Sequence, residues 1–137
     1  MSLSSRVLVD SDTLSFYIKQ YPKVVAEAQN YLRQHQIFTF SIISRFEILR
    51  GMKVRGATEQ LKFFDSFCRH NEIIELNDQI IIRAADIYAD LYKRGLLILD
   101  ADILIAATAL ANKLPIVTNN ENHFNRISGL QIFNWSK

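Results

Sequence analysis

Apolar and polar positions change their period repeatedly along the chain. Arg6-Val-Leu-Val-Asp10 is a short unbroken apolar run that ends on an acid, the pattern of a buried strand. Pro22 suits the first turn of a helix, and Val25, Ala28 and Leu32 follow it at helical spacing. Ile37-Phe-Thr-Phe-Ser-Ile-Ile43 mixes β-branched and aromatic residues, and its first half reads as a strand. From Ser44 the spacing of Phe46, Leu49 and Lys53 turns helical. Gly51 weakens that helix, and Gly56 is placed to close it. Leu61, Phe64, Phe67 and Cys68 mark another amphipathic helix, and Ile73-Ile-Glu-Leu76 another strand. Asn77 or Asp78 can cap a long helix carrying Ile81, Ala84, Tyr88 and Leu91, closed near Gly95. Ile103 to Ala111 is apolar almost all round apart from Thr108, which predicts a helix buried on several sides. Leu114-Pro-Ile-Val-Thr118 reads as a strand with its Pro at a tolerable place, and Gln131 to Phe133 as a last short strand.

Strands that alternate with helices predict an α/β sandwich around a mostly parallel sheet. The length of 137 residues suits a single domain over 1–137, with no repeat, linker or low-complexity stretch. In such folds sites gather at the carboxyl ends of the strands, which draws attention to the acids there.

Composition narrows the classes. Hydrophobic residues at 49% and charged residues at 22% are those of an ordinary globular chain, not a disordered one. No apolar run approaches the roughly 20 residues of a membrane-spanning helix, so no membrane partner is expected. Met1 to Arg6 is too short and polar for a secretory signal. Cys68 is the lone cysteine, which excludes an internal disulfide and a Cys-based zinc cluster. His35, His70 and His123 lack ligand-like spacing, and a reducing cytoplasm is the expected location. A net charge of +2 permits nucleic acid without pointing to it.

Asp10 and Asp12 follow the first strand, Glu47 lies in the first turn or so of the helix after the second, Asp102 opens the buried helix, and Asn120 follows the strand ending at Thr118. Adjacent parallel strands would bring these segments to one sheet edge. Three carboxylates together raise one another's pKa and resist desolvation, and a divalent cation reverses that penalty. Oxygen ligands without Cys or His point to Mg²⁺ or Mn²⁺, and such ions support hydrolysis of a phosphate ester. Simpler roles compete at each position. An Asp after a strand often forms a turn or caps a helix; Asp100 is the clearest cap, Asp102 can be a favourable charge at a helix start, and Asn120 can cap a helix near Glu121. Glu47, between Arg45 and Arg50, can be a solvated ion pair.

The same junctions carry a family resemblance. Val7-Leu-Val-Asp-Ser-Asp-Thr-Leu14 resembles the opening motif of PIN-domain nucleases. Ser41-Ile-Ile-Ser-Arg-Phe-Glu-Ile-Leu-Arg-Gly51 is similar to the second motif, and Asp102-Ile-Leu-Ile-Ala-Ala-Thr-Ala-Leu110 to the third. Val117-Thr-Asn-Asn-Glu-Asn-His-Phe124, with Ile127 and Gly129-Leu130, resembles the fourth motif and its tail. The match runs through nearly the whole chain and is closest to VapC-type toxins of type II toxin–antitoxin modules. It implies a three-layer PIN-like sandwich and Mg²⁺- or Mn²⁺-dependent ribonuclease activity. Asp10, Glu47 and Asp102 would act as catalytic metal ligands. Asp12 stands where the family carries Asn or Asp, and Asn120 where many members carry a fourth acid; Asn120 is kept as a catalytic candidate because its neutral oxygen can serve a metal or its water. The implied partners are RNA, a small antitoxin and a second copy of the chain. The antitoxin would lay an apolar helix in a groove, with Leu14 to Tyr21 and Leu61 to Phe67 as the candidate apolar surface.

Other readings are weaker. Asp10 and Asp12 loosely match an aspartate-nucleophile phosphatase, although that class needs no Glu47. A PIN-like module that binds RNA or a partner without cutting it is the non-enzymatic alternative. Gly51 to Thr58 has the spacing of a phosphate-binding P-loop, but Ala57 stands where the lysine is required. Arg45, Arg50, Lys53 and Arg55 are candidates for RNA phosphates or a solvated basic face. Phe16, Tyr17 and Tyr21 are candidates for base stacking or for core, and His123 for a structural hydrogen bond near the acids.

Overall fold

Side chains on the short strands alternate between two cores, and that alternation sets the architecture. The computed structural model describes residues 5–137; residues 1–4, on which the reading of the N-terminus partly rests, lie outside the described residues. In chain order the elements are β1 (Leu8–Val9), α1 (Ser11–Ile18), α2 (Pro22–His35), β2 (Thr39–Ser41), α3 (Ile42–Arg55) and α4 (Thr58–Arg69). They continue with β3 (Glu72–Ile74), α5 (Asp78–Lys93), α6 (Asp100–Ala111), β4 (Ile116–Val117), α7 (Glu121–Phe124) and β5 (Ile132–Phe133). Val7, Val9, Phe38, Phe40 and Val117 enter one core beneath α1 to α4. Leu8 and Ile116 enter the other, with Ile80, Leu91, Ile105 and Phe124 from α5, α6 and α7. Helices thus cover both faces of the strands, the expected three-layer sandwich.

Every strand pair is parallel. β1 pairs with β4 in register Leu8↔Ile116 and Val9↔Val117, and β4 pairs with β5. β2 pairs with β3 from Thr39↔Glu72 to Ser41↔Ile74, and β2 packs beside β1. Asp10, Ser41 and Thr118 therefore leave their strands at the same edge.

Several boundaries differ from those the sequence predicts. The largest difference is α1, which the pattern of Ser11 to Ile18 did not reveal. It is short, Leu14 is its fully buried anchor, and Phe16, Tyr17 and Ile18 pack on the core only partly buried. Phe16 stacks on Tyr21 at 4.6 Å and Tyr17 meets Phe38 edge-on at 4.9 Å, so these aromatics serve packing. β2 occupies Thr39–Ser41 rather than the first half of its apolar run, because its hydrogen-bond register follows β3. α3 begins at Ile42, earlier than expected, since Ser41 Oγ accepts the Ile43 N–H at 3.0 Å. Glu47 accordingly sits in the second turn. Gly51 does not interrupt α3; it lies on the wall of a cavity, and Gly56 closes the helix at φ 64°. The Gly51–Thr58 segment is thus helix and helix end, not a phosphate cradle. Asn77, rather than Asp78, caps α5 by accepting the Ile80 N–H at 2.9 Å. Asp100 is the first residue of α6 and not its cap, which is Leu99 without a side-chain bond. No helix among the described residues is long and apolar enough to cross a membrane.

The strand that delivers Asp10 is anchored at its start by a buried phenol. Tyr31 Oη of α2 accepts the Val7 N–H at 3.1 Å. Tyr31→Phe should leave that buried N–H unpaired and lower unfolding free energy by about 1–3 kcal/mol. Urea denaturation with an unchanged m-value checks this; an unaltered midpoint would refute it.

Candidate active site

The carboxyl end of β1 sets the first carboxylate. Asp10 is the N-cap of α1: its Oδ1 accepts the Ser11 N–H at 2.8 Å, and its Oδ2 accepts the Thr118 hydroxyl at 2.7 Å across from the end of β4. Cap and ligand readings are therefore compatible at this residue, because a cap uses only some of the carboxylate's lone pairs. Asp12, in the first turn of the same helix, accepts the Asn119 N–H at 3.1 Å and ties α1 to the segment after β4.

Glu47 reaches the same place from α3. Its Oε1 accepts the Ser11 hydroxyl at 2.6 Å, and Ser11 Oγ also stands 2.9 Å from Ser44 Oγ. Arg50 Nη2 lies 3.7 Å from Glu47 Oε2, an exposed and loose pair that leaves the carboxylate largely uncompensated. Asp102, buried in the first turn of α6, has His123 Nδ1 2.7 Å from its Oδ2. Asn120 reaches the acids indirectly: its amide nitrogen is 2.8 Å from the same His123 Nδ1, and its backbone N–H donates to Thr118 Oγ1 at 2.9 Å. A single Nδ1 cannot both donate to Asp102 and accept from Asn120, so the two contacts exchange with the imidazole tautomer. Asn120 is also the residue before α7, without the side-chain cap bond considered from sequence.

Ser11 thus joins Asp10 to Glu47, Asn119 ties Asp12 to the segment after β4, and Asp102 reaches Thr118 through His123 and Asn120. Ser11, Ser44 and Thr118 had no role in the sequence argument. The available signal was position: Ser11 adjoins Asp10, Thr118 follows β4, and Ser44 lies one helical turn before Glu47 on α3. Among the described residues no three Asp, Glu, His or Cys side chains close around a common point, so the acids form an open arrangement and not a ready cage.

Electrostatics record the strain of the gathering. Burial, followed by the Asp12 charge, pushes the Asp10 carboxyl up to about 8, and Asp102 adds to the rise. Burial also raises Asp12 above the ordinary carboxylate range. The bonds from Ser11 and Thr118 pull Asp10 the other way without prevailing. Oxygen donors, excess negative charge and a loosely held Arg50 as the adjoining cation form a set that fits a hard divalent cation.

Of the four basic residues considered from sequence, only Arg50 touches an acid of the site. Arg55 lines a cavity of about 540 Å³ between α1, α3 and α4, whose inner end is formed by Ser11, Asp12 and Glu47. Arg45 turns toward Cys68, with one guanidinium nitrogen buried and unpartnered, and Lys53 is exposed.

Residues 7–130 match the PIN domain family. The chain is 35% identical to "Ribonuclease VapC1" of Methanocaldococcus jannaschii over 94% of this chain and 88% of that protein. It is 29% identical to "tRNA(fMet)-specific endonuclease VapC" of Salmonella typhimurium, over 95% of this chain and 98% of that one. Its fold superposes on VapBC2 from Rickettsia felis, solved bound to a DNA fragment from their promoter, with TM-score 0.85 and 26% identity. That superposition covers 96% of this chain and 99% of the other.

The raised Asp10 carboxyl makes metal-free stability depend on pH. Its folded value of about 8 lies above the ordinary 3.8, so the folded state holds a proton that the unfolded state has released. The stability from that proton is full below about pH 4 and is lost as pH rises through about 8. In chelator at pH 8.5, Asp10→Asn should be more stable than the parent by at least about 1 kcal/mol, one pKa unit being worth about 1.4 kcal/mol. The gap should close toward pH 4. Thermal melts across this range check it, and a variant less stable than its parent at pH 8.5 would contradict the charge assignment.

Proposed function

The chain belongs to the PIN domain family and within it is a VapC-type ribonuclease of the toxin–antitoxin kind; from that premise we propose that it is a metal-dependent endoribonuclease whose chemistry is carried by Asp10, Glu47 and Asp102. The observation that carries this reading is the gathering of Asp10, Glu47 and Asp102 at the shared end of β1, β4, α3 and α6, where burial disfavours the Asp10 charge and the loosely held Arg50 is the adjoining arginine. The same acids argue against a module that only binds RNA, because acids alone repel phosphates.

Mg²⁺ or Mn²⁺ suits the three carboxylates, Mg²⁺ being a cation that keeps several waters and needs few protein ligands. Bound there, it would supply an activated water and offset the charge growing on the phosphodiester. The protein's own groups do the positioning. Ser11 N–H and the Thr118 hydroxyl hold the Asp10 carboxylate in one orientation, and the Ser11 hydroxyl aims Glu47. His123 Nδ1 stands at Asp102 Oδ2, with the Asn120 amide at the same nitrogen, so Asn120 acts through His123 as a positioning residue.

A small antitoxin is the proposed inhibitor. Relatives of this fold are solved as VapBC complexes, and the cavity beside Glu47 has the matching chemistry. Ile18, Ile48, Met52 and Phe63 offer an apolar floor for a helix, while Asp12 and Glu47 at the inner end would receive a basic side chain. Leu14 is buried and unavailable to it, a revision of the apolar surface expected from sequence. A second copy is the proposed subunit partner. The outer face of α5 exposes Ile81, Tyr88 and Tyr92 at helical spacing, an apolar stripe that a dimer would cover. Light scattering should give twice the monomer mass; a monomer at micromolar concentration that is unaffected by Tyr88→Glu would refute this subunit contact.

RNA cleavage by purified protein should need Mg²⁺ or Mn²⁺ and stop with chelator. Asp10→Ala, Glu47→Ala and Asp102→Ala should each lower it by about 100-fold or more. His123→Ala should reduce it by roughly 10–100-fold. Undiminished cleavage by a folded Asp102→Ala protein would overturn the assignment of the site.

A further inference from the structure

Phe46 precedes Glu47 on α3 and turns its ring to solvent, 57% exposed. Arg50, one turn on, has its guanidinium carbon 5.1 Å from the centroid of that ring while its Nη2 lies 3.7 Å from Glu47 Oε2. An exposed ion pair this loose is worth little, so Arg50 can exchange Glu47 for another anion. With Phe46 more than half exposed beside that guanidinium, ring surface remains for a second partner. The pair therefore presents a flat apolar surface and a planar cation within one residue of a carboxylate of the site. We propose that Phe46 and Arg50 form a nucleotide platform for the RNA substrate. In this arrangement Phe46 stacks on a base beside the scissile phosphate and Arg50 binds a neighbouring phosphate; it rests on the ribonuclease reading above.

Charge decides between RNA and a protein surface here. A protein covering Phe46 would also have to desolvate Arg50 and Glu47, an unfavourable step without matched charges. Single-stranded RNA offers both complements in each nucleotide, a π-face for the ring and a phosphate for the guanidinium. The platform also solves a local problem. Phosphates approaching four acids are repelled, and among the described residues Arg50 is the arginine or lysine paired with one of those acids. Arg45 is turned to Cys68 and cannot take this role without leaving its present contact.

The test measures binding apart from cleavage. In an Asp102→Asn background, fluorescence anisotropy with a labelled single-stranded RNA oligonucleotide is recorded over a salt series. Phe46→Leu should weaken binding by roughly 5–100-fold, and Phe46→Trp should retain it. Arg50→Gln should reduce the slope of log affinity against log salt by about 1. In the otherwise unaltered enzyme, Phe46→Leu should raise KM far more than it lowers kcat. Loss of cleavage dependence on Asp102 would remove the catalytic assignment and leave these binding results intact, so the two failures are distinguishable. RNA affinity unchanged in both Phe46→Leu and Arg50→Gln overturns the platform. A Phe46→Leu protein with unchanged RNA affinity but altered subunit mass or weakened antitoxin binding would assign the face to a protein partner instead. Because Phe46 is exposed, both substitutions should fold, which the melting temperature verifies.

Discussion

Burying Asp10 at the end of β1 is the constraint on which the site depends. A carboxylate there loses hydration, and nearby Asp12 and Asp102 make its charge still less favourable. The fold offsets only part of this through the Ser11 N–H and the Thr118 hydroxyl. What remains is a standing affinity for positive charge. A proton satisfies it in the metal-free protein, and a divalent cation or the basic side chain of the proposed inhibitor would satisfy it in the same way. Stability and activity thus oppose each other at one residue, as expected where a site holds groups that folding alone would reject.

The parallel sheet makes that concentration of charge possible. Parallel strands end at one edge, so helices that follow β1 and β2 start there with their N-termini turned to the acids. Those N-termini favour negative charge, which moderates the repulsion among the carboxylates. The two cores hold the arrangement from opposite faces. Val7 and Val9 lock β1 against α1 to α4, while Leu8 between them is packed against α5 and α6. Asp102 rides on α6, whose Ile105, Ala106, Ala107 and Ala109 are fully buried, so its carboxylate has little freedom to retreat.

Hydroxyl groups complete the site at low electrostatic penalty. Ser11 donates to Glu47 and stands beside Ser44, joining α1 to α3; Thr118 joins β4 to Asp10. Lysines in these places would neutralise the acids and compete with a metal. Neutral donors orient the carboxylates and leave their charge for a cation. Arg50 respects the same division, because its contact with Glu47 is loose and solvent-exposed.

Much of this was legible in the sequence where local chemistry is self-sufficient. Gly56 as a helix end, Asn77 as a cap, Pro22 at a helix start and the apolar length of α6 each follow from a few neighbouring residues. The acids after the strands were legible for the same reason, since a short apolar run ending on Asp10 already implies a buried strand with charge at its mouth. Tertiary contact alone decided the rest. α1 was hidden because eight residues, half of them apolar, carry too little periodicity, and only its packing against α2 and α3 makes it a helix. The boundaries of β2 came from its register with β3, and α6 takes Leu99, in extended backbone, as its cap with Asp100 already inside the helix. Which arginine faces the acids was equally closed to the sequence. Arg45, Arg50 and Arg55 occupy one helix with similar local surroundings, and their roles diverge only because Cys68, Glu47 and the cavity wall lie at different angles around its axis. Periodicity records which residues share a helix face; the neighbour that meets that face is set by chain segments far away in sequence.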